Sequence, residues 1–331
     1  MAADKKRLLL PDEMARPGWD LVKPRADVEV VVFAPRMPAA DFRRLLHDVD
    51  GVALSSTPLR AADIAAAPRL RAVGRLGVGF DAVDVDALTA RGIPLMTCGT
   101  DNAPTVAEYA MFTMLALCKR GPELDAMTRQ GRWSERYADP PTELLGKTLL
   151  IIGFGRIGTR VARRSLAMEM LVDVYDPYVP AEAVRAAGCQ PVADLDAALP
   201  RADFVTIHCP RSPETIGMFN AARLARMKPT ARLINSARGG LFDEAALYTA
   251  LSTGKLAGAG IDVFSPEPPL TDNPLFTLAN VIVSPHIAGN TVESLDRRAA
   301  TTVRNLLLVL EGGVPDEDFV VNPEALRLSK Q

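Results

Sequence analysis

The sequence is poor in the residues that usually announce special chemistry. Of 331 residues only four are cysteine and three histidine. Cys98, Cys118, Cys189 and Cys209 show no Cys-x-x-Cys spacing. That argues against a metal site and against a disulfide framework. We expect no metal, and thiols that behave as small buried apolar groups. Neither sign of charge dominates: 38 basic residues face 40 acidic ones, for a net charge of -2. The basic residues are scattered along the chain, so the electrostatic footprint of a nucleic-acid binder is missing. No apolar run is long enough to span a bilayer, and Met1 to Leu10 lacks the apolar core of a signal peptide. These absences predict a cytoplasmic protein with neither a nucleic-acid nor a membrane partner. Internal repeats and low-complexity tracts are also lacking.

Hydrophobic residues, by contrast, make up 48% of the chain. A chain of this length outgrows a single hydrophobic core, so two domains are expected. Strand-like and helix-like runs alternate from end to end, the pattern of an α/β protein with parallel sheets. In the first hundred residues the strand candidates are Arg7–Leu10, Val28–Phe33, Gly51–Leu54, Leu70–Arg75 and Ile93–Cys98. Helical stretches such as Asp41–His47 and Asp84–Arg91 lie between them, as in a small doubly wound domain.

The segment from Asn102 to Arg120 differs. Thr105-Val106-Ala107-Glu108 fits a capping box, and the run after it is apolar nearly all round. The pattern predicts a helix starting at Thr105, buried on most sides and placed at the domain junction. A second α/β series follows. Its strand candidates are Thr148–Ile152, Val172–Tyr175, Phe204–His208, Arg232–Asn235, Gly258–Val263 and Val281–Ser284. The last helix is expected over Val292–Leu310, followed by an irregular surface tail rich in Gly and Pro.

Gly153-Phe154-Gly155-Arg156-Ile157-Gly158 directly follows the Thr148–Ile152 run and opens a helical stretch. Strand, glycine loop and helix in that order form the context in which GxGxxG binds a dinucleotide. The first Gly permits the turn, the second lets backbone approach a pyrophosphate, and the third lets helix and strand pack. The helix N-terminus favours the diphosphate charge. Asp176 ends the next strand, where a carboxylate accepts ribose hydroxyls and repels a 2′-phosphate. NAD is therefore expected over NADP.

Three polar residues follow three separate strand candidates: Arg238, Glu267 and His286. Ligands of open parallel sheets bind beyond the carboxyl ends of the strands, where all three would lie. The set suits reduction of a keto acid. Histidine supplies the proton, a carboxylate beside it stabilises imidazolium, and a guanidinium holds the substrate carboxylate. His208 also ends a strand and competes as the acid, although lining the cofactor cleft suits it better. His47 sits in a charged stretch and is expected to be solvated.

At this point the chain resembles the D-isomer-specific 2-hydroxyacid dehydrogenases, the family of phosphoglycerate dehydrogenase and glyoxylate/hydroxypyruvate reductase. The likeness runs over nearly the whole length. It is carried by Gly77-Val78-Gly79-Phe80-Asp81-Ala82-Val83-Asp84, Thr105–Glu108, Gly153–Gly158 and His208-Cys209-Pro210. It continues through Asn235-Ser236-Ala237-Arg238-Gly239-Gly240, Gly260–Phe264, Glu267-Pro268-Pro269 and Ser284-Pro285-His286. The resemblance implies two doubly wound parallel-sheet domains. A Rossmann NAD-binding domain, residues 102–290, is inserted into a flavodoxin-like substrate domain, residues 1–101 and 291–331. It implies that Arg238 binds the substrate carboxylate and carbonyl, that His286 is the acid/base, and that Glu267 pairs with it. Asp262 would hold the nicotinamide end. Arg156, Ile157, Asp176, Cys209, Ser236 and Ala237 would line the NAD site with the three glycines. Val78, Thr105, His208, Pro210, His286 and Gly289 are further candidates there. Ser55, Arg75, Val78, Gly79 and Arg238 are the candidates for the substrate. A homodimer through the cofactor domains is also implied.

Four positions depart from the family's usual residues: Arg211 in place of Leu, Tyr109 in place of His, and uncharged Leu54 and Pro58 where phosphoglycerate enzymes often carry basic residues. The chain also ends at Gln331, with no room for a C-terminal regulatory domain. Leu54 is expected to form an apolar wall, leaving Arg75 and Arg60 as thin partners for a phosphate. A dimer partner's Arg132 or Arg136, beside Trp133, could add to them. The expected substrate is therefore hydroxypyruvate or glyoxylate. The alternatives are a short-form 3-phosphoglycerate dehydrogenase, a formate dehydrogenase, which would carry Gln in place of Glu267, and an NADH-responsive corepressor-like binding module.

Overall fold

The computed structural model describes residues 5–328, so the reading of Met1–Asp4 lies outside the described residues. The chain divides into two compact units, Met1–Asn102 with Asn290–Gln331, and Ala103–Gly289. Each is built on one parallel sheet.

The sheet of unit one has five strands: β1 (Lys6–Pro11), β2 (Val28–Phe33), β3 (Gly51–Leu54), β4 (Ala72–Arg75) and β5 (Leu95–Met96). Their order is β2-β1-β3-β4-β5, the flavodoxin-like order. All four residues of β3 are buried, as expected of a central strand covered on both faces. Phe33, Phe42, Leu54 and Ile64 pack on one face, and Leu8, Leu10 and Leu306 on the other. The Val292–Leu310 helix supplies Leu306 and Leu310 to that second core, with Thr291 Oγ1 capping its start by accepting from Ser294 N.

The tail does not match the expected irregular segment. Val321 N donates to Leu95 O, and Leu95 N donates to Asn322 Oδ1 at 2.7 Å. Asn322 is almost fully buried and also donates to Ile93 O. A helix, Pro323–Leu328, follows. Hydrophobic patterning could not show this, because one polar side chain ties the tail to β5.

Unit two carries seven strands: β6 (Thr148–Ile152), β7 (Leu171–Tyr175), β8 (Gln190–Pro191), β9 (Phe204–Ile207), β10 (Arg232–Asn235), β11 (Gly258–Ile261) and β12 (Val281–Val283). The order β12-β11-β10-β9-β6-β7-β8 is the Rossmann order with a seventh strand added, and it reverses between β6 and β9. The two residues of β8, one polar and one proline, carry no hydrophobic signal and were not foreseen.

The Ala103–Lys119 helix lies against β11: a Cβ on Gly260 would stand 2.0 Å from Thr113 Cγ2. One expectation about this helix fails. It begins at Ala103, so Thr105 lies inside its first turn and caps nothing. Glu108 instead faces Arg164 at 3.4 Å. As expected, it is buried on most sides. Ala107, Ala110, Met114 and Cys118 are buried, while Phe112 remains 56% exposed. The apolar residues outnumber what one face can cover, and a strip of them is left outside.

Candidate active site

The glycine loop sits where the strand order reverses. Gly153 has φ of 93°, and a Cβ there would stand 2.7 Å from Cys209 N, in the segment after β9. A Cβ on Gly158 would lie 2.0 Å from Gly153 O, so only glycine lets the Gly158–Ala167 helix start this close to the loop. Gly155 is different: nothing lies within 4 Å of a Cβ placed there. The open side is the one a pyrophosphate would need. Asp176 reaches back across the loop, with Oδ2 accepting from Phe154 N at 2.7 Å and Oδ1 from Tyr178 N at 2.9 Å. Arg156 is exposed and Ile157 half-buried beside the loop.

Two buried polar atoms nearby have no hydrogen-bond partner among the described residues, His208 Nδ1 and Ser236 Oγ. They follow β9 and β10, neighbouring strands. Orphaned polar atoms beside an open glycine cradle and an acidic residue fit a dinucleotide. His208 Nε2 meets Thr206 Oγ1 at 2.9 Å, and burial pushes its pKa down to about 3. The ring is therefore neutral at physiological pH and poorly suited to act as the acid. Burial also pushes the Cys209 thiol up to about 11. Cys98, Cys118 and Cys189 are buried, and all four cysteines are free.

The three polar candidates gather at the ends of β10, β11 and β12. After β10, Asn235 pins the loop: Oδ1 accepts from Ala237 N at 3.0 Å, and Nδ2 donates to Arg238 O at 2.8 Å. Gly239 then passes so close to the next loop that a Cβ would stand 1.8 Å from Phe264 O. Arg238 is thus carried beside the loop that bears Glu267. Glu267 Oε1 accepts from Phe264 N at 3.0 Å, and Oε2 meets His286 Nδ1 at 2.8 Å. His286 Nε2 remains for chemistry.

The electrostatics follow from this geometry. The hydrogen bond from Glu267 raises the His286 pKa against the opposing effect of burial, with further help from Asp262 and opposition from Arg238. Burial of Glu267 favours its neutral form, but His286, the Phe264 N–H and Arg238 outweigh that and hold its carboxyl below the ordinary range. A charged imidazolium–carboxylate pair is favoured.

Asp262 is fully buried and serves the same loop. Oδ1 accepts from Ser284 Oγ at 2.6 Å and Ile287 N at 2.8 Å; Oδ2 accepts from Ala288 N at 2.9 Å. Its carbonyl accepts from His286 N at 2.8 Å. His286 itself has φ of 54°, a left-handed conformation costly for a non-glycine residue. Sequence reading named Asp262 but missed Ser284 and Tyr109, whose hydroxyl donates to Ser284 Oγ. Tyr109, noted only as a departure from the family pattern, was the signal available.

The remaining site candidates lie as follows. Thr105 is buried in its helix, Pro210 is exposed and Gly289 half-buried. In unit one, Ser55 follows β3, and Val78 and Gly79 follow β4, all at the carboxyl edge of that sheet. Arg75 Nε donates to Gly79 O at 2.9 Å and so helps hold this loop. Leu54 is fully buried in the core and forms no pocket wall. The expectation placed it by its position beside Ser55 and could not know which way a strand-end side chain turns. His47 is exposed and meets Asp48 at 2.9 Å, as expected of a solvated residue. Among the described residues no group of three or more His, Cys, Asp or Glu is arranged to hold a metal, and no helix is long and apolar enough to cross a membrane.

Comparison with known proteins agrees with this geometry. Residues 111–288 match the family described as D-isomer specific 2-hydroxyacid dehydrogenase, NAD binding domain. The D-3-phosphoglycerate dehydrogenase of Mycobacterium tuberculosis is 44% identical over 79% of this chain and 49% of its own length. That of Methanocaldococcus jannaschii is 38% identical over 96% of this chain and 59% of its own. The chain spans about half the length of the curated relatives it matches. Among solved structures, D-lactate dehydrogenase from Aquifex aeolicus, complexed with NAD and lactic acid, superposes with a TM-score of 0.83 at 29% identity, covering 95% of this chain and 99% of that one. The chain belongs to the D-isomer-specific 2-hydroxyacid dehydrogenase family.

Proposed function

We propose that the protein is an NAD-dependent D-2-hydroxyacid dehydrogenase acting on a phosphorylated three-carbon acid of the 3-phosphoglycerate type. The observation that carries the activity is the 2.8 Å contact of Glu267 with His286 Nδ1, beside Arg238 and at the same sheet edge as the glycine cradle. NAD, bound by the Gly153–Gly158 loop and Asp176, supplies the hydride acceptor. His286 Nε2 takes the hydroxyl proton during oxidation and returns it during reduction. Glu267 fixes the ring and stabilises the imidazolium that forms. Arg238 binds the substrate carboxylate and polarises the adjacent carbonyl.

The choice of a phosphorylated substrate rests on the relatives named D-3-phosphoglycerate dehydrogenase. The contrary expectation, hydroxypyruvate or glyoxylate, leaned on the shortage of cations around Leu54 and Pro58 and on Leu54 as an apolar wall; the second of these grounds is gone. A non-enzymatic binding module would not need a histidine with a raised pKa held in a left-handed backbone. Initial rates with NADH against phosphohydroxypyruvate, hydroxypyruvate, glyoxylate and pyruvate test the assignment. Phosphohydroxypyruvate should give the highest kcat/KM. Faster turnover of hydroxypyruvate would return the unphosphorylated reading, and no turnover of any keto acid would leave a binding module.

We also propose a cytoplasmic homodimer formed through unit two. Its support is an open apolar groove on that unit, lined by Met111, Phe112, Leu115, Ala116, Pro122 and Ile282. Light scattering should give twice the monomer mass, and Phe112→Glu should lower it.

A further inference from the structure

The Tyr109 hydroxyl belongs to a different element from the three polar candidates, yet it ends a chain of hydrogen bonds that leads to His286. It donates to Ser284 Oγ, which donates to Asp262 Oδ1 at 2.6 Å. The same carboxylate accepts two backbone N–H groups from the residues just after His286, and the Asp262 carbonyl accepts the His286 N–H. We infer that Tyr109 is a positioning residue for the proton donor, acting through Ser284 and Asp262 on the loop that carries His286.

The physical case has three parts. First, His286 is held at φ of 54°, so something must stabilise a conformation that the isolated chain avoids. The Asp262 carboxylate does this by collecting donors on both sides of the loop. Second, a serine hydroxyl can turn. Here its hydrogen goes to Asp262 and the Tyr109 O–H engages a lone pair, so the hydroxyl is held from both sides. Third, Tyr109 keeps that proton. Burial raises its pKa above the usual tyrosine value, against the opposing effect of its hydrogen bond to Ser284, so the donor persists across the working pH range. The charged groups facing His286 are Glu267, Asp262 and Arg238. Loosening the loop weakens the contact with Glu267, the largest contribution raising the His286 pKa. The midpoint must then fall.

The inference rests on the proposed role of His286 as proton donor, and the test separates the two. The chain has three histidines. His208 is already neutral, and His47→Gln removes the exposed ring, so in that background NMR titration of the cofactor-free protein follows His286 alone. Tyr109→Phe should move the His286 midpoint to lower pH and reduce kcat about tenfold, with KM and NADH affinity nearly unchanged. Ser284→Ala should do the same from the other side of the chain, and Ser284→Thr, which keeps a hydroxyl, should restore both. If Tyr109→Phe fails to fold, the Ser284 pair carries the test. An unmoved His286 midpoint together with wild-type kcat would overturn the inference. Undiminished turnover in His286→Ala would instead remove the catalytic reading, while the titration would still report whether Tyr109 positions the ring.

Discussion

The two ends of unit two's sheet edge use opposite means to make a site. Around β6 and β7 the binding surface is backbone: Gly153, Gly155 and Gly158 matter for what they lack, and the Asp176 carboxylate accepts from the loop's Phe154 N–H. Around β10 to β12 the site is side chains, and backbone is used to aim them. Asn235 pins the Arg238 loop, the Phe264 N–H orients Glu267, and the Asp262 carbonyl anchors His286. A cradle of the first kind fails when atoms are added. A constellation of the second kind fails when atoms are taken away.

The sharpest way to break that contrast is at His286. Deleting its ring should leave the cradle intact, so His286→Ala should lower kcat about a thousandfold while NADH still binds with wild-type affinity. Fluorescence titration with NADH alongside steady-state kinetics checks both halves. Near-normal turnover would mean that the proton comes from elsewhere, though not from His208, whose ring is neutral.

On the cradle side, additions should matter according to where they point. Gly158→Ala drives a Cβ to 2.0 Å from Gly153 O, and overpacking of that kind should lower Tm by about 5 °C and weaken NADH binding. Gly155→Ala meets nothing within 4 Å, so Tm should hold while NADH affinity still falls. Equal thermal melts for both variants would sink the distinction.

Much of this arrangement was legible in the sequence, for a physical reason. Central parallel strands are covered on both faces, so they read as short apolar runs; Gly51–Leu54, Thr148–Ile152 and Arg232–Asn235 have the bounds their patterns predict. Arg238, Glu267 and His286 were legible because each polar residue follows such a run. What escaped was decided by orientation and by single hydrogen bonds. Leu54 turns into the core, Asn322 ties down the tail, and Tyr109 reaches Ser284 across 175 positions of sequence. The helix start at Ala103 was misread because Thr-x-x-Glu also occurs inside helices.

A smaller effect is expected when charge rather than atoms is changed in the catalytic group. Glu267→Gln keeps the shape but removes the largest contribution raising the His286 pKa. In the proposed role of His286, keto-acid reduction needs the protonated ring, so its rate should fall as pH rises through the His286 pKa. Lowering that pKa must move the alkaline limb of the reduction profile to lower pH. The oxidation profile, which needs the neutral ring, must shift its rise in the same direction. A limb that stays in place would show that Glu267 orients His286 without tuning it.

The smallest effect expected is at Asp176, because two roles meet in one side chain. Its carboxylate accepts from Phe154 N inside the glycine loop and from Tyr178 N beyond β7. It also presents the negative charge proposed to disfavour a 2′-phosphate. Asp176→Ala would remove both, so a loss of NADH affinity could reflect a loosened loop alone. Asp176→Asn separates them at the loop: the amide oxygen still accepts from Phe154 N, only the contact with Tyr178 N is given up, and the charge is gone. With Asn, NADPH should gain about tenfold in kcat/KM relative to NADH, and Tm should stay near wild type. With Ala, Tm should drop as well. If the Asn variant keeps the full preference for NADH, the carboxylate's work at this position is to shape the loop, and discrimination against the 2′-phosphate belongs to another group.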